Sequence, residues 1–354
     1  TAPVVNLSVS SSSITENSGG TITITATLSF ATIIDTTVVL DTSGTGTEGT
    51  DYGTISDITI SAGDTTGTAT FDPTDDTVYE GNETAAVTIT NVVGADAGST
   101  TSQTITITEN DSTPVVTLAT SASTIAENAG SSLTLTATLS NATTEDVTVA
   151  LSTSGTGTEG TDYSTISDIT ISAGATTGTA TFTPTDDSVY EGNETGIVAI
   201  DSVSGADATE SGTQSVTITI TENESAPTVT LTTSASSIAE NAGSSLTLTA
   251  TLSVATTADV TVGISTSGTG TEGTDYSTIS DITISAGATT GTASFTPTDD
   301  SIYEGNETGI VAISTVSGGS ATESGTQTVT ITITENETAP VVNLSVSSSS
   351  ITEN

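Results

Sequence analysis

The residues of this chain that could do chemistry are almost all carboxylates. It carries 43 Asp and Glu with no Lys, Arg, His or Cys, for a formal net charge of −43. The acids cluster at recurring stations. The first set runs Glu16 in Ile14-Thr15-Glu16-Asn17, then Asp51 in Gly49-Thr50-Asp51-Tyr52, then Asp75, Asp76, Glu80 and Glu83 around Val78-Tyr79, then Glu109 and Asp111 around Asn110. Oxygen donors without nitrogen or sulfur suit a hard divalent cation. Asp51, Asp75, Asp76, Glu80 and the terminal acids offer more oxygens than the roughly six to eight that one calcium takes, so about two to four ions per cluster is the expectation. Loops from several strands make an irregular cage, which suits calcium better than octahedral magnesium. Without metal, the like charges repel or partly protonate.

The same composition excludes other chemistry. A carboxylate pair such as Asp75 and Glu80 resembles the acid and nucleophile of a glycosidase. No His, Cys or Lys is present as base or nucleophile, however, and the pair recurs throughout the chain, so no catalytic residue is expected. Nucleic acid and anionic membrane surfaces are disfavoured because their recognition rests on Lys and Arg. No apolar run approaches a membrane span, so direct membrane insertion is not expected, and no basic, apolar leader precedes Thr1, which predicts a processed or excerpted chain. With no disulfide and no Lys-Asn crosslink possible, metal is the one strong staple left. Asn-x-Ser/Thr triplets at Asn6, Asn82, Asn110, Asn141, Asn193, Asn223, Asn306, Asn336 and Asn343 permit glycans on Asn, although a Thr-rich chain produces such triplets by chance.

The elements that must position these acids repeat. The Glu that opens each set recurs at spacings of 127 − 16 = 111, 240 − 127 = 113 and 353 − 240 = 113, and residues 338–354 are identical to residues 1–17. The expected domains are 1–112, 113–225 and 226–338, with 339–354 the start of a further repeat, either in a longer array or as a strand that completes a neighbouring subunit. Each unit alternates β-branched residues with Thr between Gly, Asp and Ser clusters, the pattern of an antiparallel immunoglobulin-like sandwich of about seven strands. In the first unit the strands are expected near Val4 to Val9, Thr21 to Ser29, Thr36 to Leu40, Ile58 to Ile60, Thr66 to Phe71, Ala85 to Asn91 and Gln103 to Glu109. Thr is the solvent-side strand former, keeping β propensity without adding charge. Tyr52 and Tyr79 with Phe71 are expected in core and corner packing. The junctions, such as Glu109-Asn110-Asp111-Ser112-Thr113-Pro114, are too short for a floppy tether, which predicts domains stacked end to end with metal at each seam.

Gly-Thr-Glu-Gly-Thr-Asp-Tyr before Ser-Asp-Ile-Thr-Ile-Ser-Ala-Gly, followed by the Asp-Asp-x-x-Tyr-Glu block, closely resembles the Calx-beta family, three times over. The resemblance implies a calcium-binding immunoglobulin-like sandwich. Carried over residue by residue, it implies ligands at Glu16, Asp51, Asp75, Asp76, Glu80 and Asp111. The equivalents are Glu127, Asp162, Asp186, Asp187, Glu191 and Glu224, then Glu240, Asp275, Asp299, Asp300, Glu304 and Glu337. Glu109, Glu222 and Glu335 join them as terminal-station acids. Glu83, Glu194 and Glu307 are open between ligand and solvated charge. Asp111 is Glu224 and Glu337 in the later units, so ion number or affinity should differ between junctions. The expected function is a calcium-rigidified piece of an extracellular or cell-surface fibre or adhesin stalk from a prokaryote, its partners being further copies of the same repeat. A calcium sensor or buffer and a ligand-binding adhesion module are the alternatives.

Overall fold

The structure, a computed structural model, describes residues 2–353 and is all-β, with no α-helix among them. The first repeat runs β1 (Val4–Val9), β2 (Ser13–Thr15), β3 (Ile22–Leu28), β4 (Thr36–Gly44), β5 (Ile58–Ile60), β6 (Thr66–Phe71), β7 (Val78–Tyr79), β8 (Glu83–Val93), β9 (Asp96–Ala97) and β10 (Ser102–Thr108). A four-stranded sheet, β6-β3-β1-β9, and a five-stranded sheet, β2-β10-β8-β4-β5, form the sandwich, and the same two orders recur in the second and third repeats.

Alternation explains the core. Along β3, Ile22, Ile24, Ala26 and Leu28 are buried while Thr23 and Thr27 face solvent. A shift of one residue would reverse every one of these faces. Register partners Leu7 and Ala26 bring β1 onto β3, and Val38, Val87 and Ile105 meet them from the other sheet. Tyr52 and Phe71 stack at 4.7 Å between ring centroids, both fully buried, and Tyr163 with Phe182 and Tyr276 with Phe295 repeat the pair.

The seven expected strands are all present, with the expected bounds at Val4–Val9, Ile58–Ile60 and Thr66–Phe71. Three short ones were not foreseen: β2, β7 and β9. The expected antiparallel sandwich also carries short parallel pairings, β1 with β9 and β2 with β10. Two or three residues carry too little alternation to register as a strand. They form because a neighbouring strand edge offers unpaired backbone groups.

By their internal contacts the residues fall into two compact units. One comprises residues up to Ser123, Ser131–Thr183 and Gly196–Ile218; the other comprises Thr124–Gly130, Pro184–Thr195 and residues from Thr219 on. The junction of the first and second repeats lies within the former and that of the second and third within the latter. Residues 338–353 hold no strand, and Val342 and Leu344 are 94% and 95% exposed. Their identical counterparts Val5 and Leu7 are 0% and 3% exposed, because there β3 and β9 flank the strand. Strand formation by this segment depends on its partners rather than on its residues alone.

Candidate metal centre

The loops at the ends of β4, β6 and β10 deliver the acids. In the turn after β4, Asp51 is buried and its Oδ2 accepts the Thr47 N–H at 2.6 Å. One oxygen is thereby held by its own turn. Asp162 and Asp275 accept from Thr158 and Thr271 in the same way, at 2.6 and 2.7 Å. Glu48 in the same motif is committed to structure: Oε1 accepts the Ile55 N–H at 3.0 Å and Oε2 the Thr42 hydroxyl at 2.7 Å.

Glu109, at the exit from β10, closes the next loop. Its Oε2 accepts the N–H groups of Glu80 and Gly81 at 2.7 and 3.0 Å, while Oε1 accepts those of Asn110 and Asp111 at 2.8 and 2.7 Å. The Asn82 side chain returns the bond by accepting the Glu109 N–H at 3.0 Å. The Tyr-Glu-Gly-Asn segment is therefore clamped reciprocally to the chain exit. Glu222 and Glu335 make the same four contacts in their repeats. These donors hold the Glu335 carboxyl down at about 2, foremost the N–H groups of Glu337 and Glu304. Glu109, Glu222 and Glu335 thus carry a positioning role that the sequence reading did not assign. Each oxygen already takes two N–H donors, so any coordination is additional to that.

Ligand-capable oxygens converge in two kinds of cluster. Asp51, Glu80 and Glu83 bring one carboxylate oxygen each within 4.8 Å of one another, and so do Asp275, Glu304 and Glu307. Glu127, Glu222 and Glu224 form the second kind of cluster, as do Glu240, Glu335 and Glu337. In the first repeat, buried Glu16 feels Glu109, Glu80, Asp76 and Asp111. Asp75 accepts the Asn110 amide at 3.3 Å, beside the chain exit. Asp76, Asp187 and Asp300 lie on exposed loops, each accepting an N–H from two residues on, and the Asp187 and Asp300 N–H groups reach Glu127 and Glu240 at 3.3 Å. Asp186 and Asp299 are exposed next to them. Glu83 and Glu307, left open by sequence, lie in these clusters.

Electrostatics match a cation-seeking site. Burial, then Glu109, Glu80, Asp76 and Asp111, push Glu16 up to about 7. Burial with Asp51 first among the charges does the same to Glu80 and Glu83, both to about 7. Burial also raises Glu127 to about 7, with Glu222 and Glu224 adding to it and the Asp187 N–H opposing it. Among the described residues, four buried carboxylate oxygens have no hydrogen-bond partner: Glu83 Oε2, Asp111 Oδ2, Glu224 Oε2 and Glu337 Oε2. An orphaned buried carboxylate oxygen is costly unless something positive meets it, and hard oxygen donors at this spacing fit calcium.

Of the three residues expected in core and corner packing, Tyr52 and Phe71 lie in the core and Tyr79 lies outside it. Tyr79 is half-buried at the first junction, where its hydroxyl donates to Asp207 Oδ2 at 3.1 Å and its backbone pairs in parallel with Thr143 of the next repeat. The reason lies in position. Tyr52 sits between the sheets, whereas Tyr79 rides a loop that the next repeat covers.

No curated protein matches the chain. Among solved structures, CBD12 from CALX1.2 is similar at 15% identity over 62% of this chain and 100% of that one, with a TM-score of 0.29. Invasin, a bacterial integrin-binding protein, is similar at 16% identity over 94% and 60%, with a TM-score of 0.30. The D0-D1 domain of intimin is similar at 14% identity over 62% and 100%, with a TM-score of 0.22. The Calx-beta domain model matches residues 1–111, 109–224 and 222–337, and the chain belongs to the Calx-beta family as three tandem domains.

Proposed function

We propose that this chain is a calcium-rigidified structural repeat of an extracellular fibre or adhesin stalk, with calcium held by the acids beside each repeat junction. The observation that carries the reading is the set of orphaned oxygens at Glu83, Asp111, Glu224 and Glu337, three of them next to the chain exit into the following repeat. Calcium there would neutralise the repulsion that raises Glu16, Glu80, Glu83 and Glu127. It would also tie the Asp-Asp loop, the Tyr-Glu-Gly-Asn turn and the exit strand into one body. Extracellular calcium at millimolar concentration fills sites of modest affinity. A composition without Lys or Arg gives trypsin no cleavage site, and net charge keeps such chains soluble.

The test is calorimetric titration with calcium, paired with small-angle scattering in calcium and in chelator. Several ions per repeat with a longer, stiffer particle is the expected result. Binding without a change of shape would instead favour a calcium buffer or sensor, and no binding would remove the assignment of the carboxylates.

A further inference from the structure

The repeats differ in length at one corner. In the first, Gly94 and Ala95 connect β8 to β9. In the second, Gly205, Ala206, Asp207 and Ala208 connect the corresponding strands Glu194–Ser204 and Thr209–Glu210. The third has Gly318, Gly319, Ser320 and Ala321 between Glu307–Ser317 and Thr322–Glu323. Gly94, Gly205 and Gly318 correspond, each with positive φ and each facing the carbonyl oxygen of Asp35, Asp146 or Asp259. The inserted pair is therefore Ala206-Asp207 in the second repeat and Gly319-Ser320 in the third. It accounts for the two residues by which the spacing from Glu127 to Glu240, 113, exceeds that from Glu16 to Glu127, 111.

The insertion is strained. Among the described residues, Ala206, Asp207 and Ser320 are the non-glycine residues with positive φ, at 49°, 51° and 53°. The left-handed region is costly for a residue with a Cβ, and Ala206 has no polar side chain to offset the cost. The sandwich itself does not require this strain, because the first repeat closes the same corner with Gly94 as its one left-handed residue. A use for the strained turn must therefore lie outside the corner it closes.

That use lies across the first junction. The Tyr79 hydroxyl of the first repeat donates to Asp207 Oδ2 of the second at 3.1 Å. Burial first, and then Asp207, push the Tyr79 hydroxyl up from its ordinary value, which keeps it a donor. Tyr79 and Glu80 face Glu145 and Asp207 around a cavity of about 200 Å³. Beside it, Val78 and Tyr79 pair in parallel with Ala142 and Thr143. In the third repeat a Cβ on Gly319 would lie 2.7 Å from Thr256 Oγ1, so the inserted turn there leans on the segment that receives Val189 and Tyr190. The second junction keeps the turn without the carboxylate, since Ser320 stands in the place of Asp207 and Ala258 in that of Glu145.

We propose that the Ala206-Asp207 insertion is a latch that fixes how the second repeat is rotated on the first, Asp207 holding the Tyr79 hydroxyl as a second point of attachment beside the strand bridge. An exposed hydrogen bond adds little cohesion in water, so the leverage of this one is geometric. A bridge two residues long leaves rotation about itself free, and an attachment on a separate turn removes it. Asp207 and Tyr79 thus act as positioning residues that need no metal, and calcium stiffens an arrangement that the latch has already selected. The latch rests on the stalk reading only for its purpose.

Pulsed electron–electron distance measurement on the full chain in chelator tests it. Spin labels go on Thr23→Cys and Thr134→Cys, exposed positions in the first and second repeats of a chain with no cysteine of its own. The otherwise wild-type chain should give a narrow distance distribution. Asp207→Ser, Tyr79→Phe and deletion of residues 206–207 should each lose the narrow peak to a broad distribution while keeping the wild-type circular dichroism spectrum. Asp207→Ser combined with Tyr79→Phe should be no broader than either alone, because both remove one bond. Glu145→Ala, which alters the same cavity and leaves that bond in place, should stay narrow. A distribution that remains narrow without Asp207, a wild type as broad as the variants, a double variant broader than both singles, or equal broadening by Glu145→Ala would overturn the latch. Calorimetric calcium titration of the same chains separates the two readings: normal calcium binding with a narrow Asp207→Ser distribution sinks only the latch, whereas broadening by Asp207→Ser in a chain that binds no calcium sinks only the metal assignment.

Discussion

The Glu109 carboxylate accepts the backbone N–H of Glu80 at 2.7 Å, so the residue that ends the last strand of the first repeat holds the loop that carries a candidate calcium ligand. Ligand position and chain exit are thereby one mechanical unit.

Replacing Glu109 by Gln should loosen that unit. An amide keeps one acceptor oxygen for two of the four N–H donors and turns its own NH2 toward the other two. Hydrogen bonds to a charged group contribute about 1.5–3 kcal/mol, so a loss of about that size is expected in metal-free urea unfolding of the first repeat. Calcium affinity should fall with it. An unchanged unfolding midpoint would show that the four contacts do not position the loop.

Glu83→Gln should produce effects of opposite sign. Its Oε2 is buried without a partner and its neighbours Asp51 and Glu80 are acidic. Removing the charge relieves repulsion, so the metal-free melting temperature should rise by a few degrees. The same change removes an oxygen donor, so the calcium-induced rise in melting temperature should shrink. Parallel changes in both quantities would mean that Glu83 is a solvated charge.

Much of this was legible in the sequence because Ile-Thr alternation fixes which face is buried, as Ile22 to Leu28 show, and because the acids fall at the loops between such strands. The bridge between Tyr79 and Thr143 was not legible, since it joins residues 143 − 79 = 64 positions apart through backbone groups that carry no side-chain signature. The clamp at Glu109 was hidden for a different reason. A carboxylate that accepts four N–H groups and one that awaits a cation look the same in sequence, and only the geometry of the turn at Gly81 separates Glu109 from Glu83.

Metal-free stability should fall as pH rises. Burial and neighbouring carboxylates push Glu16, Glu80, Glu83 and Glu127 up to about 7 in the folded chain against the ordinary 4.5, so between these values the folded state holds protons that the unfolded state has released. Their contribution is fully present below about 4.5 and is lost as pH climbs through about 7. Melting in chelator should therefore be lower at pH 8 than at pH 5.5. Saturating calcium should reverse the order, because the metal requires the ionised carboxylates. Chelator curves that rise with pH would contradict the crowding of these acids.

The turn itself is tested at Gly81. Its φ of +75° lies in the left-handed region, and a Cβ built there meets nothing within 4 Å. Gly81→Ala therefore carries a conformational cost without a steric one, about 1–2 kcal/mol. Gly67 offers the contrast: its φ is ordinary, but an added Cβ would lie 2.7 Å from the Thr59 carbonyl oxygen and the Ile58 side chain. Asn tolerates the left-handed region better than Ala, so Gly81→Asn should recover much of the lost stability, whereas no such rescue is expected at Gly67. Because the Glu80 and Gly81 N–H groups both bind Glu109, Gly81→Ala should also weaken calcium binding at a distance from any ligand it removes. Equal losses for the Ala and Asn variants would mean that the left-handed backbone conformation of Gly81 does not hold the turn.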